Sequence, residues 1–492
     1  MTLISIRGLT FAYPGSPDNV FDNISVDLDS NWRLGLIGRN GRGKTTLLRL
    51  LSGQYAYSGS IVSQEQFSYF PYPVKNSEQP CVELIAGLAA EREMWEIERE
   101  LGLLGLNSAS RSRSFALLSP GEQSRALLAA LFLRGDCLPL IDEPTNHLDM
   151  AARQIVGDYL GGKRGFILVS HDRDLLDRCT DHILALNKSG VELIQGNFSA
   201  WQENQRRREQ YVRTEREKLQ AEITTMRKAA QQGSAWAEQV EKSKYAQRNS
   251  GVKPDRGYIG AKSARLMKKA RNYAARQEKA AAKKTLLLKD QESCAAIKLI
   301  PAAYHSRRLL SLENLEIFYD KQKVCGPLSF SLERGERLAV LGGNGSGKSS
   351  LLKLILGQDL AYRGGLYRGG GLKISYVPQQ TTGLGGSLND FAARRGLEPS
   401  LFFALLRQLD LPVGHLQHDV RDFSAGQRKK VLLAASLCEQ AHLYIWDEPL
   451  NFIDLMSRIQ IEQVLLRYEP TLIFVEHDRR FCDMVATASI RL

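Results

Sequence analysis

The sequence predicts a mixed α/β protein in which one domain plan is used twice and the two copies are joined by a long α-helical hairpin. Three observations predict it. A glycine-rich loop of the form G-x-x-x-x-G-K-[ST] occurs twice, and five landmarks recur at matching offsets of 304 to 306 residues: Tyr13 and Tyr319, Lys44 and Lys348, Ser119 and Ser424, Glu143 and Glu448, His171 and His477. The run between His171 and Tyr319 is far longer than an ordinary interdomain loop, and its middle is rich in the helix formers Gln, Arg, Glu, Lys and Ala.

The first loop reads Gly38, Arg39, Asn40, Gly41, Arg42, Gly43, Lys44, Thr45, and the second Gly342, Gly343, Asn344, Gly345, Ser346, Gly347, Lys348, Ser349. Glycines let the backbone curl so that successive N–H groups point at a triphosphate. The lysine meets the β- and γ-phosphates, and the hydroxyl of Thr45 or Ser349 ligates Mg²⁺. Each loop follows an apolar strand-like run, 34–37 or 338–341, and opens a helix-like run at Thr46 or Ser350. Phosphate at a helix N-terminus is the context such a loop requires.

Composition narrows the class. With 492 residues, 43% of them hydrophobic, the chain is too long for one domain and rich enough for real cores. Seven cysteines without C-x-x-C spacing read as reduced thiols of a cytoplasmic protein. Met1 to Arg7 reads as a first strand, not a signal peptide. No apolar run approaches the ~20 residues of a membrane span, so a nucleotide-driven transporter would need separate membrane subunits. The net charge is +12, and its location is informative. From Trp201 to Asp290 there are 23 Lys and Arg against 10 Asp and Glu, a net of +13 that leaves −1 for everything else. An anionic polymer or surface is the expected partner of that segment.

In the first half, Tyr13 lies upstream of the loop where it could stack on a base. Residues 82–107 read as helical. Ser119 and Gly121 then open a helix that runs on from Ser124 to Leu133 and offer a hydroxyl and an N–H to an anion. The apolar run from Leu138 ends in Asp142 and Glu143, one acid to hold Mg²⁺ through water and one to polarise the attacking water. The strand-like run 166–169 leads to His171, placed to reach the γ-phosphate. The second half repeats the order with Tyr319, Ser424, Gly426, Asp447, Glu448 and His477.

Loop, signature serine, paired acids and histidine, in that order and twice, resemble the ATP-binding cassette (ABC) superfamily. Asp142 to Asp149 (DEPTNHLD) and Ser170 to Arg173 (SHDR) resemble its ABC-F class, and Gly196 to Ser199 resembles the entry to the ABC-F interdomain linker. The run DRGYIGAKSA from Asp255 and WDEPLN from Trp446 resemble the Lsa-like, antibiotic-resistance branch. The resemblance implies a cassette at 1–198, a helical hairpin linker at 199–300 with its tip near 245–258, and a cassette at 301–492. It also implies two ATP–Mg²⁺ sites closed head to tail within one monomer, Lys44, Asp142 and Glu143 facing Ser424 and Gly426, and Lys348, Asp447 and Glu448 facing Ser119 and Gly121. Gln379 is the implied further Mg²⁺ contact of the second site. Tyr72 stands in its place in the first half, which puts ordinary metal coordination there in question and leaves open whether the two sites are equal.

The partner implied is the ribosome, entered at the tRNA exit site in the ATP-bound state beside large-subunit rRNA and P-site tRNA, with no transmembrane subunit. The implied outcome is protection from lincosamides, streptogramin A and pleuromutilins. The basic, aromatic composition of the hairpin suits folded RNA, with Lys244, Tyr245, Arg248, Lys253, Arg256 and Tyr258 as the candidate contacts. Two alternatives stay open: a housekeeping ABC-F translation factor, and the ATPase subunit of a drug exporter.

Overall fold

The structure is a computed structural model. It describes residues 2–16, 18–89, 92–146, 148–187, 190–242, 299–319, 322–381, 383–411, 414 and 418–492, with scattered helical positions between 257 and 276. Residues 1–199 and 295–492 form one compact unit and residues 200–294 a second.

Each half of the first unit pairs a small antiparallel sheet with a larger parallel one. In the first half the strands are β1 (Leu3–Phe11), β2 (Phe21–Asp29), β3 (Arg33–Gly38), β4 (Ser58–Val62), β5 (Gln66–Phe70), β6 (Cys137–Asp142), β7 (Phe166–Val169), β8 (His182–Asn187) and β9 (Gly190–Gln195). The small sheet has the order β2-β1-β4 and the large one β5-β6-β7-β3-β8-β9. In the second half the strands are β10 (Arg308–Tyr319), β11 (Gln322–Glu333), β12 (Arg337–Leu341), β13 (Ala361–Arg368), β14 (Ile374–Val377), β15 (Leu443–Asp447), β16 (Leu472–Val475) and β17 (Ala488–Arg491). Their orders are β11-β10-β13 and β14-β15-β16-β12-β17. The two topologies match strand for strand, with β9 as an antiparallel addition to the first.

The central strands are short and apolar because helices cover both faces of a parallel sheet. β7 and β16 are buried at every residue. β3 pairs with β7 from Arg33↔Phe166 to Leu36↔Val169, and β6 pairs with β7 from Leu140↔Ile167 to Asp142↔Val169. This register brings the C-terminal ends of β3, β6 and β7 side by side, where the loop, the acids and the histidine follow. That edge is where ligands bind in open α/β sheets.

The expected helix at 82–107 is two helices, Cys81–Leu88 and Met94–Leu103. The helix after the signature serine starts at Pro120, earlier than the periodicity shows, because Ser119 and Glu122 form a capping box. In the second unit one helix runs over Phe198–Lys242, about 68 Å long at 1.5 Å per residue. Its exposed surface carries ion pairs one turn apart, Arg207 with Glu203 and Arg213 with Glu217. The six candidate RNA contacts, and the expected tip apart from Gly257, lie outside the described residues. Among the described residues no helix is long and apolar enough to cross a membrane.

Candidate functional site

Both phosphate loops are built alike. Gly43 and Gly347 take left-handed backbone conformations (φ 88° and 91°) and start the helices Lys44–Leu51 and Lys348–Ile355. A Cβ at Gly43 would come within 2.6 Å of the Phe21 ring, so that position excludes every other residue. Lys44 donates to the carbonyls of Gly38 (2.7 Å) and Arg39 (3.2 Å), and Lys348 to those of Gly342 (2.9 Å) and Gly343 (2.7 Å). Both ammonium groups are buried, and burial lowers their pKa. A phosphate anion in the loop is the natural partner for a cation held on carbonyls alone.

The tyrosines occupy equivalent places. Tyr13 shares a hydrogen bond with Thr46 (2.7 Å), and the Ser350 hydroxyl lies 3.5 Å from that of Tyr319. The Tyr13 ring stands edge-on to Phe11 and Tyr55, which leaves it exposed beside the loop.

Behind each loop stand the acids. Thr45 donates to Asp142 (2.7 Å), as does the hydroxyl of Tyr69 (3.0 Å), and Ser349 donates to Asp447. One carboxylate beside one hydroxyl at a phosphate loop fits Mg²⁺, a hard cation that keeps waters and phosphate oxygens as its other ligands. The buried Oδ1 of Asp447 has no hydrogen-bond partner, which leaves an acceptor for such water. Glu143 and Glu448 follow with left-handed backbones (φ 52° and 47°), a cost of about 1–3 kcal/mol each. Backbone bonds from Glu143 to Val169 (2.9 Å) and from Glu448 to Val475 (3.0 Å) hold that geometry.

Beyond this point the two sites differ. Glu448 accepts from Gln379 (2.7 Å) and Asn451 (2.6 Å), with His477 Nε2 3.7 Å away. Burial works to raise its pKa, but these neighbours outweigh burial and hold it at about 2. Glu143 has His171 Nε2 at 3.3 Å and the His171 backbone N–H at 3.4 Å. Burial, with the Asp142 charge beside it, pushes Glu143 up to about 7. The difference begins at Tyr72, whose hydroxyl donates to the Leu127 carbonyl (3.0 Å) and so is engaged elsewhere. Burial also holds the His171 imidazole well below its ordinary value, in the neutral form.

One residue that the sequence did not single out supports the second site. Lys429 is fully buried and donates to the carbonyls of Pro378 (2.7 Å), Asp447 (3.0 Å) and Gln379 (3.5 Å). It ties the Gln379 loop to the end of β15. Burial lowers its pKa to about 8, against the pull of Glu476, Asp447 and Glu448. The matching residue of the first half is Ser124.

Each phosphate loop faces the other half. Asn40 donates to the Phe452 carbonyl (3.0 Å), and Arg39 lies 3.7 Å from Asp410. A Cβ on Gly426 would sit 3.0 Å from that same Phe452 oxygen, so the second signature glycine and the first phosphate loop share one residue. In the reciprocal direction the Asp149 carboxylate lies over Gly343. Ser119 and Ser424 cap their helices by accepting from Glu122 and Gln427. Away from the nucleotide loops, buried Arg173 makes a bidentate pair with buried Glu462 and lies 3.9 Å from Asp478. Arg480 donates to Asp177 (2.9 Å) and Ser199 (3.3 Å).

A family model described as ABC transporter matches residues 21–146 and 325–451. The ribosome protection protein VmlR of Bacillus subtilis is 27% identical over 97% of this chain and 85% of its own length. The ATP-binding protein Uup of Caulobacter vibrioides is 28% identical over 100% of this chain and 77% of its own. Among solved structures, the complex of the archaeal ribosomal stalk protein aP1 with the archaeal ribosome recycling factor aABCE1 aligns with a TM-score of 0.63. That match is 18% identical and covers 96% of this chain and 84% of that one, a likeness of fold.

Proposed function

We propose that this chain, which belongs to the ABC transporter family and is a twin-cassette ATPase of the ABC-F type, uses ATP held between its cassettes to govern binding to the ribosome. The observation that carries the reading is the reciprocal facing of each phosphate loop with the aspartate-bearing loop of the other half. Triphosphate in such a site bridges both halves and favours the closed arrangement; hydrolysis removes the bridge. Lys44 and Lys348 hold the phosphates. Thr45 with Asp142, and Ser349 with Asp447 and Gln379, would hold Mg²⁺, which supplies charge neutralisation at the transferring phosphoryl group. Glu448 takes the proton of the attacking water, and His477 stands beside it on the γ-phosphate side.

Two things support the ribosome as partner: the names of the relatives, and the net +13 carried by Trp201 to Asp290. With ribosomes as partner, the protein acts in the cytoplasm as a monomer without a membrane subunit. The finer reading is protection of the peptidyl-transferase region from lincosamide, streptogramin A and pleuromutilin drugs. A housekeeping translation role is the second reading, favoured by the equal closeness of Uup.

Sedimentation tests the common part. The Glu143→Gln/Glu448→Gln chain should pellet with ribosomes in ATP and stay in solution in ADP; a chain that never pellets contradicts the proposal. Adding the wild-type chain to a purified translation system stalled by a lincosamide separates the two roles. Protection predicts restored synthesis, and the housekeeping role predicts none.

A further inference from the structure

We propose that the second cassette carries a phosphate-binding pocket outside the ATP sites, built for the backbone of the RNA that the protein contacts. The inference rests on the ribosome-binding reading above. The pocket has a volume of about 450 Å³ and is lined by Gly383, Leu384, Gly385, Arg394, Arg421 and Arg428.

Three guanidinium groups therefore border one cavity. Among the described residues none of the three forms an ion pair with an acid. Arg394 donates to the carbonyls of Gly385 (2.8 Å) and Asp390 (3.3 Å). Arg421 lies over Gly385, where a Cβ would sit 2.5 Å from its Nε. The Nε of Arg428 is buried without any acceptor. The nearby acids take their hydrogen bonds from other groups, although the Asp419 charge also acts on Arg421. Asp419 accepts from the backbone of Gly386 (3.0 Å) and Arg421 (2.8 Å), and Asp390 from the Ser387 hydroxyl (2.8 Å). Three like charges border one hollow and one of them has an unmet donor, an arrangement that attracts an anion.

The chemistry of the wall selects phosphate. Guanidinium forks bind phosphate oxygens bidentately, and three of them suit a phosphodiester segment better than a single carboxylate. Leu384 is the single large apolar side chain of the lining and no aromatic ring lines it, so the pocket offers no aromatic platform for a base. The ligand is read by its backbone, not its sequence.

The first cassette lacks the device at the same places. Its counterparts by helix and turn position are Gly87, Ala116 and Gln123. The Gln123 amide donates to the carbonyls of Phe115 (3.0 Å) and Leu118 (3.1 Å) and closes that space with a neutral group. Arg428 also lies one turn inside the helix that Ser424 caps, so an occupied pocket bears on the helix whose start faces the first ATP site.

The test compares the wild-type chain with Arg394→Gln/Arg421→Gln, Arg428→Gln and Arg394→Lys/Arg421→Lys, using a short fluorescein-labelled single-stranded RNA across a salt series. Each glutamine variant should lose affinity several-fold, with the slope of log affinity against log salt reduced by about one per phosphate contact removed. The lysine variant should keep the slope, which a folding defect would not. Unchanged slopes in both glutamine variants overturn the proposal. Pyrophosphate and a poly-glutamate peptide serve as competing probes. Arginine-dependent binding of either, with the RNA slope unmoved, assigns the pocket to a free phosphate or an acidic protein and equally overturns it. If the Glu143→Gln/Glu448→Gln chain fails to pellet with ribosomes while the RNA slopes shift as stated, the ribosome reading falls and the pocket stands.

Discussion

The two ATP sites stand on matching strands, with equivalent lysines, acids and histidines, yet their glutamates are in opposite states. Glu448, with His477 and two amide donors around it, is held at about 2, whereas buried Glu143 rises to about 7. The scaffold is shared, so the difference comes from the immediate neighbours: Gln379 donates to Glu448 where Tyr72 turns to the Leu127 carbonyl, and Glu143 is left to burial and the Asp142 charge. The contacts between the halves also differ at equivalent positions. Arg173 pairs with Glu462 in the interior, while Arg479 of the equivalent turn faces solvent with Asp483 at 3.7 Å, and Gly157 stands where Glu462 would be matched. Duplication preserves the phosphate grip, and divergence acts on charge placement around it.

The largest expected effect concerns the pair of Arg173 and Glu462. Arg173→Met leaves Glu462 buried without its partner and should cost about 3–5 kcal/mol of stability, whereas Arg479→Met should cost less than about 0.5 kcal/mol. Thermal or urea unfolding measures both, and equal costs would mean that the halves are held symmetrically. Next in size is catalysis. Glu448→Gln should lower steady-state phosphate release by about 10²–10³-fold, and Glu143→Gln by less than about threefold, because a general base contributes only where it is ionised.

The pH profiles sharpen the contrast. A base must be deprotonated to act, and Glu143 is protonated below about 7. Residual turnover of Glu448→Gln should therefore rise about tenfold from pH 6 to pH 8. Turnover of Glu143→Gln should be flat over that range, since Glu448 at about 2 is ionised throughout. A flat profile in both variants would remove the electrostatic part of the account. The smallest effect is a repair: Tyr72→Gln in the Glu448→Gln chain restores an amide near Glu143 and should raise residual turnover roughly threefold.

Much of this was legible in the sequence where chemistry demands fixed local spacing. The phosphate loops, the acid pairs at strand ends and the signature serines could be read because each is a contiguous run whose geometry is local. Tyr72 could be read as a departure from Gln379, but the tyrosine that reaches Asp142 is Tyr69, because β5 ends between them and their side chains diverge. Lys429 was hidden because a lysine in a helix reads as surface, and its three carbonyl partners come from two segments far along the chain. Arg173 and Glu462 are separated by 289 positions, and no periodicity links them. The break between the helices Cys81–Leu88 and Met94–Leu103 was missed because apolar spacing continues across it.

The most direct test of unequal sites is a rapid-quench count of ADP formed in one turnover by wild-type chain loaded with two ATP. The account predicts one ADP per chain in the fast phase, lost in Glu448→Gln and kept in Glu143→Gln. Two ADP per chain forming at one rate, with both variants equally impaired, would contradict it.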